Sequence, residues 1–266
     1  MTLKVCLAGA TGWAGSELAR GVAATADLEL VSAVARKHAG QTLGAALGVS
    51  ALDGPVFATA AEALAIGCDV FVEYTGPKSA KANVLAALSH GAHVVVGTSG
   101  ISDPDYDEID RAAREAGRGV LACGNFALTV VLLQKFAEMA AKHIPCWEVV
   151  DTAHESKPDA PSGTARELAV RLGKVRRPAI AVPVADTDGV PEARGANLSG
   201  TQVHSIRLPG FVLGVEVVFG MPDQTLSLRH SAGSSAKPYV DGAILAIRRV
   251  STLVGVHRGL DAVLDL

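Results

Sequence analysis

Short apolar runs alternate with helical patterns through the first half of the chain. Five runs have the continuous apolar, often β-branched character of buried strands, and they read LKVCLAG, LELVSAVA, DVFVEYT, AHVVVGTS and GVLACGN. Three stretches between them have helical periodicity, namely SELARGVAAT, SAKANVLAALSHG and DEIDRAAREAG. This alternation predicts an α/β fold with a doubly wound parallel sheet and right-handed crossovers.

The second half changes character after one more helical run, ALTVVLLQKFAEMAAKH. Four stretches then alternate more clearly between apolar and polar residues, with Gly and Pro turns between them: CWEVVDTA, TQVHSIRLP, VLGVEVVFG and QTLSLRHSA. They predict a mixed or antiparallel sheet with one covered face. Residues 176–200 are rich in Pro, Gly and Asp, so we expect a long surface loop there. A final helix, YVDGAILAIRRVSTLVG, and the short AVLDL close the chain.

Length and charge limit the classes of function. With 266 residues and 49% hydrophobic content, the chain can fill one large core or two modest ones. The formal net charge of -3, from 24 basic and 27 acidic residues, gives no basic excess to attract nucleic acid or an anionic membrane. Any anionic ligand must therefore be held locally.

The cysteines and the start of the chain indicate the compartment. The four cysteines are far apart and show no C-x-x-C spacing, so we expect neither a disulfide framework nor a metal site. The N-terminus lacks a charged region followed by a cleavage site, and no apolar run reaches the roughly 20 residues that span a bilayer. We therefore expect a protein of the reducing cytoplasm.

A glycine-rich turn, GATGWAG, lies between the first predicted strand and the first predicted helix. Such a turn lets the backbone approach a pyrophosphate, while the helix N-terminus offers free N–H groups and partial positive charge. Its place before alternating strands and helices favours dinucleotide binding over a structural tight turn. The candidate cofactor residues of this turn are Gly9, Ala10, Thr11, Gly12, Trp13, Ala14 and Gly15.

The end of the second strand bears on cofactor choice. NAD-selective sites usually place an acidic residue there for the ribose 2'-hydroxyl, whereas an arginine accommodates the 2'-phosphate of NADP. Here Ala35 is followed by Arg36 and Lys37. The sequence predicts an NADP preference, and the alternative is an ordinary solvated basic turn.

Three more loops follow predicted strands, and ligands of open α/β sheets bind outside the carboxyl ends of strands. YTGPKSA (74–80) and GTSG (97–100) are expected to line the nicotinamide half of the cleft, or else to be plain strand-to-helix turns. GNFA (124–127) ends the fifth strand and is expected to act as the hinge between the halves. The candidate cofactor residues of these loops are Tyr74, Thr75, Gly97, Thr98, Ser99, Gly124, Asn125 and Phe126.

The stretch HESKPDAPSGTA combines titratable side chains with a Ser-Gly-Thr turn whose small residues leave the backbone accessible. A helical pattern starts near Ser162, so Ser162, Gly163 and Thr164 offer hydroxyls and N–H groups to a carboxylate or phosphate. Simple capping is the alternative, because Thr164 and Glu167 match a capping box. Lys157, five residues before the turn, favours ligand binding.

These motifs together resemble a known family. GATGWAG, GTSG, GNFA, HESKPDAPSGTA and GARGANLSGTQVHSIRLPGFVLGVEVVFG are similar to 4-hydroxy-tetrahydrodipicolinate reductase, also called dihydrodipicolinate reductase, of bacterial lysine and diaminopimelate biosynthesis. The similarity is collinear over nearly the whole chain. The K-x-D-A-P-S-G-T segment, residues 157–164, is highly specific for that family.

The resemblance implies a fold and an assembly. It implies an N-terminal Rossmann domain of residues 1–125 and 238–266, and a C-terminal α+β domain of residues 126–237 with a mixed sheet. The second domain would bind substrate and build a homotetramer. The cofactor would be NADPH, with NADH possible, and it would reduce a cyclic, conjugated, dicarboxylated imine.

The resemblance also assigns roles to residues of the second half. Lys157 matches the general acid, residues 162–164 match the turn that binds a substrate carboxylate, and His154 matches a histidine that contacts substrate. Ala153 departs from the family, which usually has a His-His pair at 153 and 154. Ser156 replaces a basic or imidazole side chain. A further arginine expected after GSS is replaced by alanine, followed by lysine.

Three other functions compete with the reductase. The departures are compatible with an imine reductase for a different substrate, or with a catalytically silent NADP-binding sensor; retention of Lys157 and the whole turn argues against the sensor. A semialdehyde dehydrogenase would need a nucleophilic cysteine at a loop or helix start. Cys123 and Cys146 are instead expected inside apolar strands, and His204 and His230 are expected to be structural.

Overall fold

A computed structural model describes residues 2–265; Met1 and Leu266, which the predicted first domain includes, lie outside the described residues. The strands are β1 (Leu3–Ala8), β2 (Leu28–Val34), β3 (Val56–Phe57), β4 (Val70–Glu73), β5 (His93–Val96), β6 (Gly119–Ala122), β7 (Cys146–Ala153), β8 (Ala196–Leu198), β9 (Thr201–Arg207), β10 (Leu213–Met221), β11 (Gln224–Ala232) and β12 (Gly255–Arg258). The α-helices are α1 (Trp13–Ala23), α2 (Leu43–Leu47), α3 (Ala60–Leu64), α4 (Pro77–Ser89), α5 (Asp103–Ala116), α6 (Leu128–His143), α7 (Gly163–Val175) and α8 (Val240–Arg249).

The chain divides into two compact units, one of residues 1–128 and 236–266 and the other of residues 129–235. Their roles in cofactor and substrate binding stay predictions at this stage. None of the helices in residues 2–265 is long and apolar enough to cross a membrane. All four cysteines lie in this range, and none of them forms a disulfide.

The first unit contains a seven-stranded sheet in the order β12-β6-β5-β4-β1-β2-β3, and every neighbouring pair is parallel. The predicted doubly wound parallel sheet is confirmed. Two strands were not predicted, β3 with two residues and β12 with four. β3 is too short for a periodic signal, and β12 starts at the end of the run predicted as the final helix. β12 pairs with β6, so the end of the chain completes this sheet.

The strand order reverses at β1, which lies between β4 and β2. The amide of Gly9, just after β1, donates to the carbonyl of Val34 at 2.9 Å. The amide of Tyr74, just after β4, donates to the carbonyl of Ala8 at 3.0 Å. The carboxyl ends of three strands therefore meet at this switch point, where open α/β sheets bind ligands.

Helices flank the sheet because their apolar faces pack against the buried strands. β4 and β6 are buried along their whole length. α5 illustrates the local signals: Ser102 caps its N-terminus by accepting the amide of Asp105, and Gly117 ends it in the left-handed region at φ 62°. Its residues Ile109 and Ala113, one turn apart, are both 0% exposed.

The second unit contains a five-stranded sheet in the order β11-β10-β7-β9-β8. β7 and β9 are parallel and the other neighbours are antiparallel, so the predicted mixed sheet is confirmed. Alternate residues of β7 are buried, and α6 and α7 contribute apolar side chains to the same core as the sheet. The long loop predicted for residues 176–200 is wrong at its end, because three of its residues form β8 and pair with β9.

Candidate functional site

The turn after β1 needs glycine at two positions. Gly9 has φ +82°, and a Cβ there would collide with the backbone carbonyl of Tyr74. A Cβ at Gly15 would collide with the carbonyl of Gly9. Gly12 is the N-cap of α1, and the first intrahelical bond runs from Ser16 to Gly12 at 2.9 Å. The amides of residues 13–15 precede that bond and are available to an anion.

Arg36 and Lys37 lie in a short 3-10 helix directly after β2. Both side chains are exposed, and within residues 2–265 neither forms an ion pair with an acidic side chain. Ala35 before them is 9% exposed and carries no group that could accept a bond from a ribose hydroxyl. Since β1 and β2 are neighbours, this basic pair follows a strand end adjacent to the glycine turn.

A cavity of about 310 Å³ brings together the other predicted loops of the first unit. It is lined by Trp13, Ala14, Tyr74, Thr75, Gly76, Pro77, Gly97, Thr98, Ser99, Cys123, Gly124, Asn125, Phe126 and Tyr239. The rings of Tyr74 and Phe126 lie 5.7 Å apart at its wall, and burial raises the pKa of Tyr74. Gly97 is tightly packed, because a Cβ there would collide with the Tyr74 ring.

A fully buried carboxylate connects two of these loops. Glu73, the last residue of β4, is 0% exposed and accepts the amide and hydroxyl of Thr75. It also accepts the amide of the Asn83 side chain at 2.8 Å and the hydroxyl of Thr98 at 3.3 Å. The loops after β4 and β5 are therefore held by one side chain that sequence analysis did not single out. Its signal was an acidic residue at the end of an otherwise apolar strand.

Two further cavity residues were missed or misplaced. Tyr239 comes from the C-terminal segment of the first unit, and its ring meets Trp13 edge-on at 5.8 Å; no motif marks it. Cys123 was expected inside a strand, but β6 ends at Ala122 and the thiol lines the cavity at 5% exposure. That expectation is wrong because a continuous apolar run does not indicate where pairing stops.

The second unit carries the loop 154–162 between β7 and α7. The Lys157 ammonium lies 2.7 Å from the Asp159 carboxylate, and this hydrogen bond lowers the pKa of Asp159. The amide of Lys157 donates to the carbonyl of His154 at 3.0 Å, which closes a turn. The lysine side chain is 28% exposed, so a ligand can reach it.

The tautomer of the neutral His154 ring follows from its neighbour Ser156. The backbone amide of Ser156 donates to His154 Nδ1 at 3.2 Å, and the Ser156 hydroxyl lies 2.8 Å from the same nitrogen. A backbone amide can only donate, so Nδ1 is an acceptor and carries no proton. The neutral ring therefore bears its proton on Nε2, which is free to donate to a ligand.

The turn at Ser162 begins α7, as predicted. Its N-cap is not the capping box of Thr164 and Glu167 that the sequence offered as an alternative. Ser162 is the N-cap, and its hydroxyl accepts the amide of Ala165 at 3.3 Å. Glu167 instead bonds Arg171 one turn on. The first intrahelical backbone bond runs from Arg166 to Ser162 at 2.9 Å. The amides of residues 163 and 164 precede it and can bind an anion.

Of the positions that depart from the resembled family, Ala153 and Ala236 are buried and Ser156 is exposed, and the two strand histidines have partners. Ala153, the last residue of β7, is 0% exposed, and Ala236 is 2% exposed. His204 Nε2 lies 2.7 Å from the Glu148 carboxylate, and His230 Nδ1 lies 2.9 Å from the Thr129 hydroxyl. Burial lowers the pKa of His230. Among residues 2–265 there is no group of three or more His, Cys, Asp and Glu side chains placed to hold a metal ion.

Comparisons with known proteins match both units. The family model described as "Dihydrodipicolinate reductase, N-terminus" matches residues 3–126, and "Dihydrodipicolinate reductase, C-terminus" matches residues 129–264. The chain is 35% identical over 266 residues to a 4-hydroxy-tetrahydrodipicolinate reductase of Geobacillus kaustophilus, which covers 100% of both chains. A Bacillus pumilus protein of the same name is 34% identical over 265 residues, covering 99% of this chain and 98% of the relative.

A solved structure agrees with these relatives. The dipicolinate-bound dihydrodipicolinate reductase from Paenisporosarcina sp. TG-14 superposes with a TM-score of 0.90 at 29% identity, covering 99% of this chain and 100% of that one. The first family model covers the glycine turn after β1, the second covers the Lys157 loop, and the full-length relatives cover both. The chain therefore belongs to the dihydrodipicolinate reductase family.

Proposed function

We propose that the protein reduces 4-hydroxy-tetrahydrodipicolinate to tetrahydrodipicolinate with NADPH, a step of diaminopimelate and lysine biosynthesis. The observation that carries this proposal is the loop of the second unit. There Lys157 closely precedes Gly163 and Thr164, whose backbone amides are available at the start of α7. A cyclic dicarboxylate needs both an anion site and a proton donor. Relatives with that enzyme name align with the chain over its whole length.

The residues of the first unit fit a nicotinamide dinucleotide. The missing Cβ atoms at Gly9 and Gly15 leave the close-packed backbone that a pyrophosphate turn requires, and the first-turn amides of α1 supply donors. The cavity lined by residues 97–99 and 124–126 suits the nicotinamide ring. Arg36 and Lys37 suit a 2'-phosphate, which favours NADPH over NADH. When bound, the reduced nicotinamide supplies a hydride.

The second unit supplies binding and the proton. The amides of Gly163 and Thr164 and the Thr164 hydroxyl bind one substrate carboxylate, and the Nε2–H of His154 donates to the substrate. Loss of the substrate's 4-hydroxyl as water leaves a conjugated imine, which is the species that would accept the hydride. Lys157 donates its Nζ proton to the substrate atom that hydride addition leaves electron-rich, and solvent restores the ammonium. Asp159 holds that ammonium in position through their ion pair at 2.7 Å.

Ala153 is the observation that favours a second candidate, an imine reductase of the same chemistry for a different substrate. A methyl group cannot supply the polar contact that the family's histidine offers at this position. A catalytically silent sensor is disfavoured because Lys157, His154 and residues 162–164 are all retained. We place the lysine-pathway reductase first for the same reason.

The proposal includes the assembly and the compartment. β11 is a nine-residue edge strand of the second sheet, and most of its residues are exposed. Such an edge is available for pairing with another copy, in line with a homotetramer. Cysteines without disulfides suit the reducing cytoplasm. Light scattering of the purified chain should give the mass of four subunits, and a monomer would contradict the assembly.

One assay tests the chemistry. Freshly generated 4-hydroxy-tetrahydrodipicolinate and a panel of other cyclic and linear imines are each supplied with NADPH, and cofactor oxidation is followed at 340 nm. We expect rapid oxidation with the first substrate alone. Turnover of another imine instead would favour the second candidate. No oxidation with any imine, despite NADPH binding by calorimetry, would favour the sensor.

A further inference from the structure

A buried ion pair in the second unit lies next to the loop that carries Lys157. Asp151 on β7 is 1% exposed, and its Oδ2 lies 2.7 Å from Nη2 of Arg207, whose side chain is 15% exposed. β7 and β9 are parallel, with Asp151 opposite Ser205 and Ala153 opposite Arg207. The arginine therefore reaches back diagonally across two neighbouring strands to the carboxylate.

Both members of the pair also hold the loop. Asp151 Oδ2 accepts the backbone amide of Ser162 at 2.9 Å. Arg207 Nη2 donates to the backbone carbonyl of Asp159 at 2.6 Å. The loop is thus tied to the ends of β7 and β9 at two points, three residues apart.

The two residues that are tied in this way, Asp159 and Ser162, lie next to the proposed proton donor and at the start of the proposed anion turn. Asp159 forms the ion pair with Lys157 through its side chain, while its own carbonyl is fixed by Arg207. Ser162 is the N-cap of α7, so fixing its amide fixes where the available amides of residues 163 and 164 point. A shift of the pair would move both the proton donor and the anion turn.

The pair is poorly suited to a purely stabilising role. Within residues 2–265, the buried Asp151 Oδ1 and Arg207 Nε have no hydrogen-bond partner. Removing two charges from water is costly, and the attraction between them compensates only when the remaining lone pairs and protons are also bonded. A role in geometry accounts for a pair that is incompletely bonded and yet contacts the loop twice.

We propose that Asp151 and Arg207 are positioning residues that hold Lys157 and the turn of residues 162–164 in place for a dicarboxylate. The inference rests on the proposed function of that turn. Arg207 has a second effect, because its positive charge offsets Asp151, which would otherwise place an unpaired negative charge next to a carboxylate site. Neither side chain need touch the substrate.

The test compares variants of the full chain. Arg207→Met removes the charge and the donors while keeping the length of the side chain, and Arg207→Lys restores the charge alone. Asp151→Asn keeps an oxygen for the Ser162 amide and is close in shape. Arg194→Met is the matched control, because Arg194 pairs with Glu148 of the same strand at 2.8 Å and does not contact the loop. Amide hydrogen exchange of residues 154–164, calorimetry with dipicolinate and calorimetry with NADPH are measured for each.

We expect Arg207→Met to speed amide exchange in residues 154–164. It should also raise the Kd of dipicolinate by roughly tenfold or more, because a displaced turn of residues 162–164 would lose about one hydrogen bond to the charged ligand. Arg207→Lys and Asp151→Asn should show smaller increases. NADPH affinity should be unchanged in all variants. The control should match the wild type in loop exchange and in dipicolinate affinity.

Unchanged loop exchange in both Arg207→Met and Asp151→Asn would overturn the positioning role. So would faster exchange spread evenly over β7, β9 and β10, which would make the pair a general stabiliser. If the wild type does not bind dipicolinate, the proposed function is contradicted. The exchange comparison between the Arg207 variants and the Arg194 control still decides the positioning role in that case.

Discussion

At the scale of single residues, the Lys157–Asp159 ion pair holds the proposed proton donor in place. The hydrogen bond from the ammonium lowers the pKa of Asp159. In the proposed mechanism, a substrate carboxylate replaces Asp159 as the partner of the ammonium. The neighbouring His154 accepts the Ser156 amide at Nδ1, which leaves Nε2 to face a ligand.

Thr164→Val tests the anion turn, since it keeps the shape of the side chain and deletes the hydroxyl. We expect a higher KM for the imine with unchanged NADPH affinity, a loss of about 1–3 kcal/mol for a hydrogen bond to a charged group. Steady-state kinetics and calorimetry measure the two quantities. Thr252→Val, at an exposed position of the first unit, is the control and should behave as wild type. Equal KM values for both variants would remove Thr164 from the substrate site.

Arg36 and Lys37 should decide between the two nicotinamide cofactors. Replacing both with alanine removes the charges that pair with a 2'-phosphate, so NADPH should bind about tenfold or more weakly while NADH binding is nearly unchanged. Calorimetry with each cofactor measures this. Equal losses for the two cofactors, or a wild-type preference for NADH, would contradict the assignment.

Ala153 stands where the family usually has a histidine, and it is fully buried. A histidine at this position must displace packed neighbours, which typically costs about 1–3 kcal/mol. We therefore expect Ala153→His to lower the melting temperature, to leave the substrate range unchanged and to alter turnover modestly. Exposed Ala193→His is the matched control and should melt as wild type. A change of preferred imine in Ala153→His would show that this position sets specificity.

At the scale of helices and strands, the sequence predicted most where the apolar pattern is regular. β7 begins and ends where alternation does, because one face of the strand is buried and a one-residue slip would reverse it. β3 and β8 were missed because two or three residues carry no period. Glu73 was missed because its partners Thr75, Asn83 and Thr98 become neighbours only in the folded sheet.

His93, at the start of β5, links two strands and should make the first unit sensitive to acid. Its Nδ1 accepts the amide of Gly119 at 3.0 Å, which ties the starts of β5 and β6. Burial, and then the charge of Arg118, lower its pKa below the ordinary value of 6.5. The unfolded chain therefore binds this proton at a higher pH than the folded chain, so stability is full above about pH 6.5 and falls as pH drops below it.

Thermal unfolding at several pH values between about 7.5 and 5.5 measures this dependence. His93→Asn keeps an acceptor for the Gly119 amide and cannot titrate, so its melting temperature should fall less with acid than that of the wild type. His90→Asn, at an exposed position at the end of α4, should follow the wild type. Identical pH profiles for His93→Asn and the wild type would contradict the assigned role of His93.

At the scale of the whole molecule, two units with different sheet topologies carry the two proposed binding sites. The glycine turn and the Lys157 loop were visible in the sequence because each is a compact local motif. The Asp151–Arg207 pair was not, since 56 positions separate its members and nothing in the sequence links one to the other. The local motifs could therefore be predicted from sequence. The ion pair that holds the Lys157 loop in place could be found only once the register of β7 and β9 was known.

The central claim is that Lys157 protonates an imine on a chain that binds both NADPH and a dicarboxylate. The most direct measurement is kcat of Lys157→Ala on 4-hydroxy-tetrahydrodipicolinate, beside calorimetry of NADPH and with Lys142→Ala, an exposed lysine of α6, as control. We predict that kcat falls by about 10²- to 10⁴-fold, the usual contribution of a positioned acid, while NADPH affinity and the control are unchanged. A Lys157→Ala enzyme with near wild-type kcat would contradict the account.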